Sequence, residues 1–281
     1  MLLIIEALLL VSAALGKDHR AAAVEGVIYP LDMALNSVDD RYEKCTKQMA
    51  NLVENKYLKQ EMSNPETGFG NAWKLAEKNH KPPGENLKKN HLISIYVYTN
   101  SKTSDVYKKF NAADRKDKKE YENKTYKWYS LHFLLTDAVQ ILKKTQNTCY
   151  DTYHRTNVEF DKDVLNKEVR FGSFTSSSKN RESTSDYGSK SCFQIYTCQG
   201  ADITKYSMIS EEEEVLIPPY ETFKVTAVKR RTDEPKLWCE TVYVLKSIGT
   251  KSDLNCALFK KQSNTIRLKF NQCITIMYIS I

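Results

Sequence analysis

Glu211-Glu212-Glu213-Glu214-Val215-Leu216-Ile217-Pro218-Pro219-Tyr220-Glu221 sets four carboxylates directly before an apolar run and halts that run at a double proline. Such a crowd of like charge costs stability unless water or a bound cation offsets it. Val215 to Ile217 reads as a buried strand, and Pro218-Pro219 cannot sit inside a central ladder because proline has no N–H to donate. The strand must end or kink there. If the extended conformation reaches back into the acidic run, Glu212 and Glu214 share one face while Glu211 and Glu213 point to solvent, because strand side chains alternate with period two. Paired carboxylates on one face suit chemistry at an anomeric carbon, where one supports an oxocarbenium-like transition state and its neighbour handles a proton. The competing reading of the bare run is a solvated acidic turn.

Short apolar or alternating runs separated by polar turns fill the rest of the C-terminal half, at 169–174, 192–197, 222–228, 237–245 and 266–276. They are expected to be strands of a two-sheet core. The first half reads as helical. Within 130–144, Leu131, Leu134, Leu135, Ala138, Ile141 and Leu142 recur at spacings of three and four and form one apolar stripe. His132 on this helix reads as the partner of a backbone group rather than as a ligand. A second helical pattern over 39–62 is broken by Asn64-Pro65 and Gly68. Residues 92–99 are ambiguous, since their β-branched alternation favours a strand. The expected fold is α+β, with a helical N-terminal half packed on a two-sheet, β-sandwich-like core.

The 281 residues suit one large domain, with no internal repeat. Residues 1–16 form an apolar run closed by small residues and followed by Lys17-Asp18-His19-Arg20, as in a secretory signal peptide, although Glu6 and the missing basic start depart from that pattern. The run is shorter than the roughly 20 apolar residues that a membrane span needs. The mature domain is then 17–281. Secretion makes the seven cysteines disulfide candidates, and no Cys-x-x-Cys pair argues for metal. Asn123-Lys124-Thr125 is a glycosylation sequon. The net charge of +7 comes from lysines scattered among acids, as in Asp114-Arg115-Lys116-Asp117-Lys118-Lys119-Glu120, which is a solvated face rather than a nucleic-acid surface. The five histidines do not cluster, and Gly68-Phe69-Gly70 lacks the third glycine of a dinucleotide fingerprint. No nucleophile elbow, His-Glu-x-x-His or phosphate loop occurs.

The Glu-x-Glu before Val-Leu-Ile-Pro-Pro, with Phe174-Thr175-Ser176-Ser177-Ser178 upstream, resembles the vertebrate ecto-mono-ADP-ribosyltransferases, whose pattern is an Arg, then Ser-x-Ser, then Glu-x-Glu. Leu131-His132-Phe133-Leu134-Leu135-Thr136-Asp137-Ala138, Arg170-Phe171-Gly172, Thr197-Cys198 and Asn255-Cys256 extend the likeness over about 29–259. The resemblance implies an enzyme that takes NAD as co-substrate, uses no metal and modifies arginine side chains of extracellular proteins. It assigns Glu214 to stabilising the oxocarbenium-like sugar, and Glu212 to fixing the acceptor guanidinium and removing its proton. Ser176 would hold the nicotinamide end and the catalytic glutamate. Tyr187 sits where the family keeps an aromatic that stacks on nicotinamide. The resemblance also pairs Cys45 with Cys256 and Cys149 with Cys198, leaving Cys192, Cys239 and Cys273 open, and it suggests that 92–99 lead into a helix.

One element departs from the family. Counted from Cys149 and Tyr153, the arginine position falls on His154, and Arg155 comes one place late. One place reverses the face of an extended strand. Either a bulge lets Arg155 reach the NAD phosphates, or His154 takes that role, or phosphate binding is weakened. The tail 273–281 is short for a glycolipid-anchor signal and follows Arg267, Lys269 and Asn271, which favours secretion over lipid anchoring and leaves association with a membrane surface open. The alternatives to arginine transfer are an NAD glycohydrolase and a non-catalytic secreted binding protein on the same fold.

Overall fold

A computed structural model describes residues 26–101 and 103–259. The expected leader at 1–16, the strand expected over 266–276, Cys273 and the tail 273–281 lie outside the described residues. The helices are α1 (Thr46–Leu52), which runs through a π turn into α2 (Leu58–Met62), then α3 (Phe69–Asn79), α4 (Lys89–Thr99), α5 (Val106–Asp114), α6 (Lys118–Glu122) and α7 (Tyr129–Gln146). The strands are β1 (Ile28–Tyr29), β2 (Tyr150–Thr156), β3 (Glu159–Phe160), β4 (Glu168–Val169), β5 (Thr175–Ser178), β6 (Ser191–Thr197), β7 (Ala201–Asp202), β8 (Glu214–Ile217), β9 (Glu221–Arg230) and β10 (Thr241–Thr250).

β1 and β3 form a parallel pair, and the other eight strands run in the order β4-β9-β10-β6-β2-β5-β8-β7. β2 pairs with β6 along its whole length but meets β5 only at Tyr153↔Ser178. The sheet is thus pinched between β2 and β5, and an apolar cluster lies on either side of the pinch. One core buries Phe174, Ala201, Ile203 and Leu216 under the helices, and the other buries Leu31, Phe160, Phe193, Ile195, Phe223 and Tyr243. The helical half on a two-part β core is the α+β architecture expected.

Several boundaries differ from the sequence expectation for identifiable reasons. Residues 92–99 are helical, in α4, and every one of them is buried. A helix covered on all sides shows no apolar stripe, so periodicity misleads there. The helix expected from Asp39 begins only at Thr46, because Tyr42 and Lys44 take positive φ and Cys45 is tied to Cys256. The strand expected over 169–174 stops at Val169. Arg170 leaves the ladder to clamp two distant segments: its guanidinium pairs with buried Asp39 at 2.6 Å and donates to the Met33, Ala34 and Lys251 carbonyls. Gly172 follows at φ +72°, where an added Cβ would lie 2.7 Å from the Ala34 Cβ. β10 starts at Thr241 rather than at 237, and β8 ends at Ile217, before the double proline.

The stripe on α7 faces the helical core as expected, and His132 donates from Nε2 to the Val38 carbonyl at 3.3 Å and accepts at Nδ1 from the Tyr42 hydroxyl at 2.7 Å. Glu61 caps the N-terminus of α7, accepting the Ser130 amide at 3.2 and 3.0 Å. Burial nevertheless outweighs those bonds and raises its carboxyl to about 8. The folded state therefore holds this proton more tightly than the unfolded chain, so its contribution falls as pH rises from about 4.5 to about 8. Glu61→Gln keeps an oxygen for Ser130 and cannot ionise. Urea unfolding is expected to show the variant gaining on the parent by a few kcal/mol, as an order of magnitude, between pH 5 and pH 8. Parallel pH profiles would contradict this.

Three disulfides staple the described residues: Cys45–Cys256, Cys149–Cys198 and Cys192–Cys239. The first two are the pairs implied by the family resemblance, and the third resolves two of the cysteines left open. Cys45 and Cys256 are separated by 211 positions, so their link removes the most chain entropy, roughly 5 kcal/mol in the loop-closure picture. Peptide mapping of unreduced protein is expected to recover all three links, and reduction to lower the melting temperature by more than roughly 5 °C. Free alkylation of these six thiols in the native protein would contradict the pairing.

Candidate active site

Glu212 and Glu214 come together by a route other than the continuous strand expected. Ser210–Glu212 is a single 3-10 turn, Glu213 takes the left-handed conformation at φ 45°, and only Glu214 enters the ladder of β8. Glu211 is exposed, Glu212 and Glu213 are half-buried, and Glu214 is buried at 2% exposure. Its Oε2 accepts the Ser207 hydroxyl at 2.9 Å. Ser207, itself buried, also accepts the Ile209 amide at 3.2 Å, so it ties the loop before the acidic run to the carboxylate at its end. Nothing in the spacing of the sequence marks this serine.

β5 carries the serines beside this carboxylate. Thr175–Ser178 is a fully buried strand rather than the exposed polar segment its composition suggests, paired with β8 along its whole length and with β2 at Ser178. Ser178 lies opposite Glu214 and Ser176 opposite Leu216, which puts Ser176, Ser178 and Glu214 on one face. The Ser177 hydroxyl donates to the Val215 carbonyl at 2.9 Å, and the Ser178 hydroxyl bonds the Asn180 carbonyl and the Ser183 hydroxyl, both at 2.8 Å. Those two serines brace the strand and the turn after it.

β2 presents His154 and Arg155 to opposite faces. Its ladder with β6 runs without a break from Tyr150↔Thr197 to Thr156↔Ser191, so no bulge carries Arg155 across. His154 is 3% exposed, and its Nδ1 lies 2.8 Å from the Ser176 carbonyl oxygen. A carbonyl only accepts, so Nδ1 carries the proton, and Nε2 can donate to an anion only in the doubly protonated ring. Arg155 turns the other way. Its Nε donates to Thr184 Oγ1 at 3.0 Å, and its guanidinium sits 4.7 Å over the Trp238 ring, next to the Cys192–Cys239 bridge. Thr184 and Trp238 are contacts that sequence reasoning missed, since one comes from a short 3-10 helix and the other from a loop, both distant along the chain.

Tyr187 ends a 3-10 helix, Glu182–Tyr187, and its hydroxyl donates to Glu212 Oε1 at 2.5 Å. Tyr153, His154, Ser176, Ser177, Ser178, Thr184, Tyr187 and Glu212 enclose a cavity of about 10 Å³. That is room for about one water molecule. The six residues picked out in the sequence thus separate into His154, Ser176, Tyr187 and Glu212 on this cavity, Glu214 on the adjoining strand, and Arg155, which is not on the cavity but bonds Thr184 in its lining. Among the described residues, no group of three or more His, Cys, Asp or Glu side chains is placed to hold a metal ion.

The family model for NAD:arginine ADP-ribosyltransferases matches residues 31–252. The GPI-linked NAD(P)(+)--arginine ADP-ribosyltransferase 1 of Oryctolagus cuniculus is 32% identical over 252 residues, covering 83% of this chain and 75% of the relative. Human ecto-ADP-ribosyltransferase 4 is 30% identical over 243 residues, covering 83% of this chain and 74% of the relative. Among solved structures, the eukaryotic mono-ADP-ribosyltransferase ART2.2 superimposes with a TM-score of 0.65 at 28% identity, covering 82% of this chain and 99% of its own. A glutamate variant of that protein, solved in complex with NADH, superimposes with a TM-score of 0.65 at 27% identity and the same coverage. With the family model spanning the described core from Leu31 to Ser252, the chain belongs to the NAD:arginine ADP-ribosyltransferase family.

Proposed function

We propose that this protein transfers the ADP-ribosyl group of NAD to arginine side chains of proteins outside the cell. The observation that carries the reading is the convergence of two carboxylates of unlike environment, buried Glu214 and half-buried Glu212, beside Ser176. In the reaction the bond between ribose C1′ and the nicotinamide nitrogen breaks. Nicotinamide leaves as a neutral molecule with the bonding pair, and positive charge passes to the sugar. The fixed, buried Glu214 carboxylate stabilises that charge, because a preorganised anion in a water-poor site acts more strongly than one in bulk solvent. A guanidine nitrogen then bonds to C1′ and gives up one proton. Free guanidinium is a poor nucleophile with a pKa above about 12, so a carboxylate at the acceptor is required, and Glu212 supplies it. Ser176 holds the nicotinamide end, Tyr187 stacks on it, and His154 meets the phosphates when its ring is doubly protonated.

The relatives named as ecto- or GPI-linked enzymes, and the three disulfides among the described residues, support an extracellular site of action. Incubating the secreted protein with NAD labelled in the adenylate and with polyarginine tests the function. Label on the polymer is the expected result. Label only in free ADP-ribose would make the protein a glycohydrolase, and unconverted NAD would make it a binding protein.

A further inference from the structure

We propose that Tyr187 is a positioning residue for Glu212, and that its hydroxyl sets how ADP-ribose divides between a guanidine acceptor and water. The inference rests on the arginine-transfer reading above and adds to it a residue that acts through the acceptor carboxylate rather than on the sugar.

Three observations support it. Glu212 lies outside the ladder of β8, on a single 3-10 turn closed by the Glu212 amide to the Ile209 carbonyl at 3.3 Å and the Glu213 amide to the Ser210 carbonyl at 3.2 Å. A single turn defines a side chain less firmly than a strand does. The element bearing Tyr187 is, by contrast, pinned at two points. Arg155, stacked on Trp238, donates to Thr184 in its middle, and Gly188 at its end lies so close to the end of β2 that an added Cβ would come within 2.5 Å of the Thr156 carbonyl carbon. The contact between them is a 2.5 Å bond from phenol to carboxylate, in the short range of charge-assisted bonds. Burial, and then the Glu212 contact, push the Tyr187 phenol well above its ordinary pKa, so it remains the donor. A carboxylate held through Oε1 meets an incoming guanidinium in a fixed orientation. Water needs no such orientation, because it reaches the sugar cation from any open side.

The test uses Tyr187→Phe, which keeps the ring and removes the hydroxyl, with NAD and agmatine as substrates and both ADP-ribosyl-agmatine and free ADP-ribose measured. Transfer is expected to fall roughly 10- to 100-fold further than NAD hydrolysis does, as for a loss of orientation at the acceptor. Hydrolysis that survives in the variant also reports that it is folded. Equal losses of transfer and hydrolysis, or transfer unchanged in Tyr187→Phe, would each overturn the inference. A parent protein that hydrolyses NAD without modifying agmatine would overturn the arginine-transfer reading and this inference together. A parent that transfers normally, with a variant that divides ADP-ribose as the parent does, would overturn only this one.

Discussion

Glu214→Gln is expected to abolish arginine transfer and NAD hydrolysis alike, by about a thousandfold or more, because both reactions pass through the same sugar cation and lose the same stabilising charge. Glutamine keeps an oxygen for the Ser207 hydroxyl that now bonds Glu214 Oε2, so the strand and its turn stay in place and the loss reports chemistry rather than folding. Glu212→Gln should behave differently. It removes the base that serves the guanidinium, so transfer is lost, while water still attacks and some hydrolysis persists. Assaying both products for both variants decides the division of labour. Equal losses of the two activities in the two variants would contradict it.

His154→Arg is expected to raise affinity for NAD by about tenfold or more, seen mainly in KM, since a guanidinium pairs bidentately with a phosphate where a neutral imidazole cannot. In the parent, His154 Nδ1 is committed to the Ser176 carbonyl, so the ring meets an anion as a donor only when it holds a second proton. Affinity for NAD in the parent should therefore fall as pH rises and the ring loses its second proton, and the Arg variant should lose that dependence. Arg155→Ala should leave NAD binding nearly intact and act through stability, because its guanidinium lies over Trp238 and bonds Thr184. A severe loss of NAD affinity in Arg155→Ala, with none in His154→Ala, would place the phosphates on the Arg155 side. Unchanged binding and turnover in all three variants would remove this segment from the phosphate site.

The sequence made the chemistry more legible than the local geometry. Glu212 and Glu214 were identified by an alternation argument, yet they meet through a 3-10 turn and a left-handed Glu213. Period-two reasoning fails at a strand's first residue, where a turn can place the same side chain by another path. The all-polar Thr175–Ser178 lies buried with its backbone paired to β8 and with the Ser177 and Ser178 hydroxyls bonded, and composition alone carries no trace of that. α4 was ambiguous for the opposite reason, since burial on every side erases the stripe that announces a helix. The face reversal between His154 and Arg155, by contrast, was readable from one-residue counting, because an uninterrupted ladder enforces it. Ser207, Thr184 and Trp238 were out of reach, as each acts across contacts made only once the loops are folded.

The most direct measurement is the product of one turnover on a small guanidine: nicotinamide released and ADP-ribosyl-agmatine formed, counted together by chromatography and mass spectrometry with saturating NAD and agmatine. The account predicts that most of the nicotinamide released is matched by ADP-ribose on a guanidino nitrogen of agmatine, and that Glu212→Gln removes the adduct while leaving some nicotinamide release. Nicotinamide matched entirely by free ADP-ribose at every agmatine concentration would contradict it.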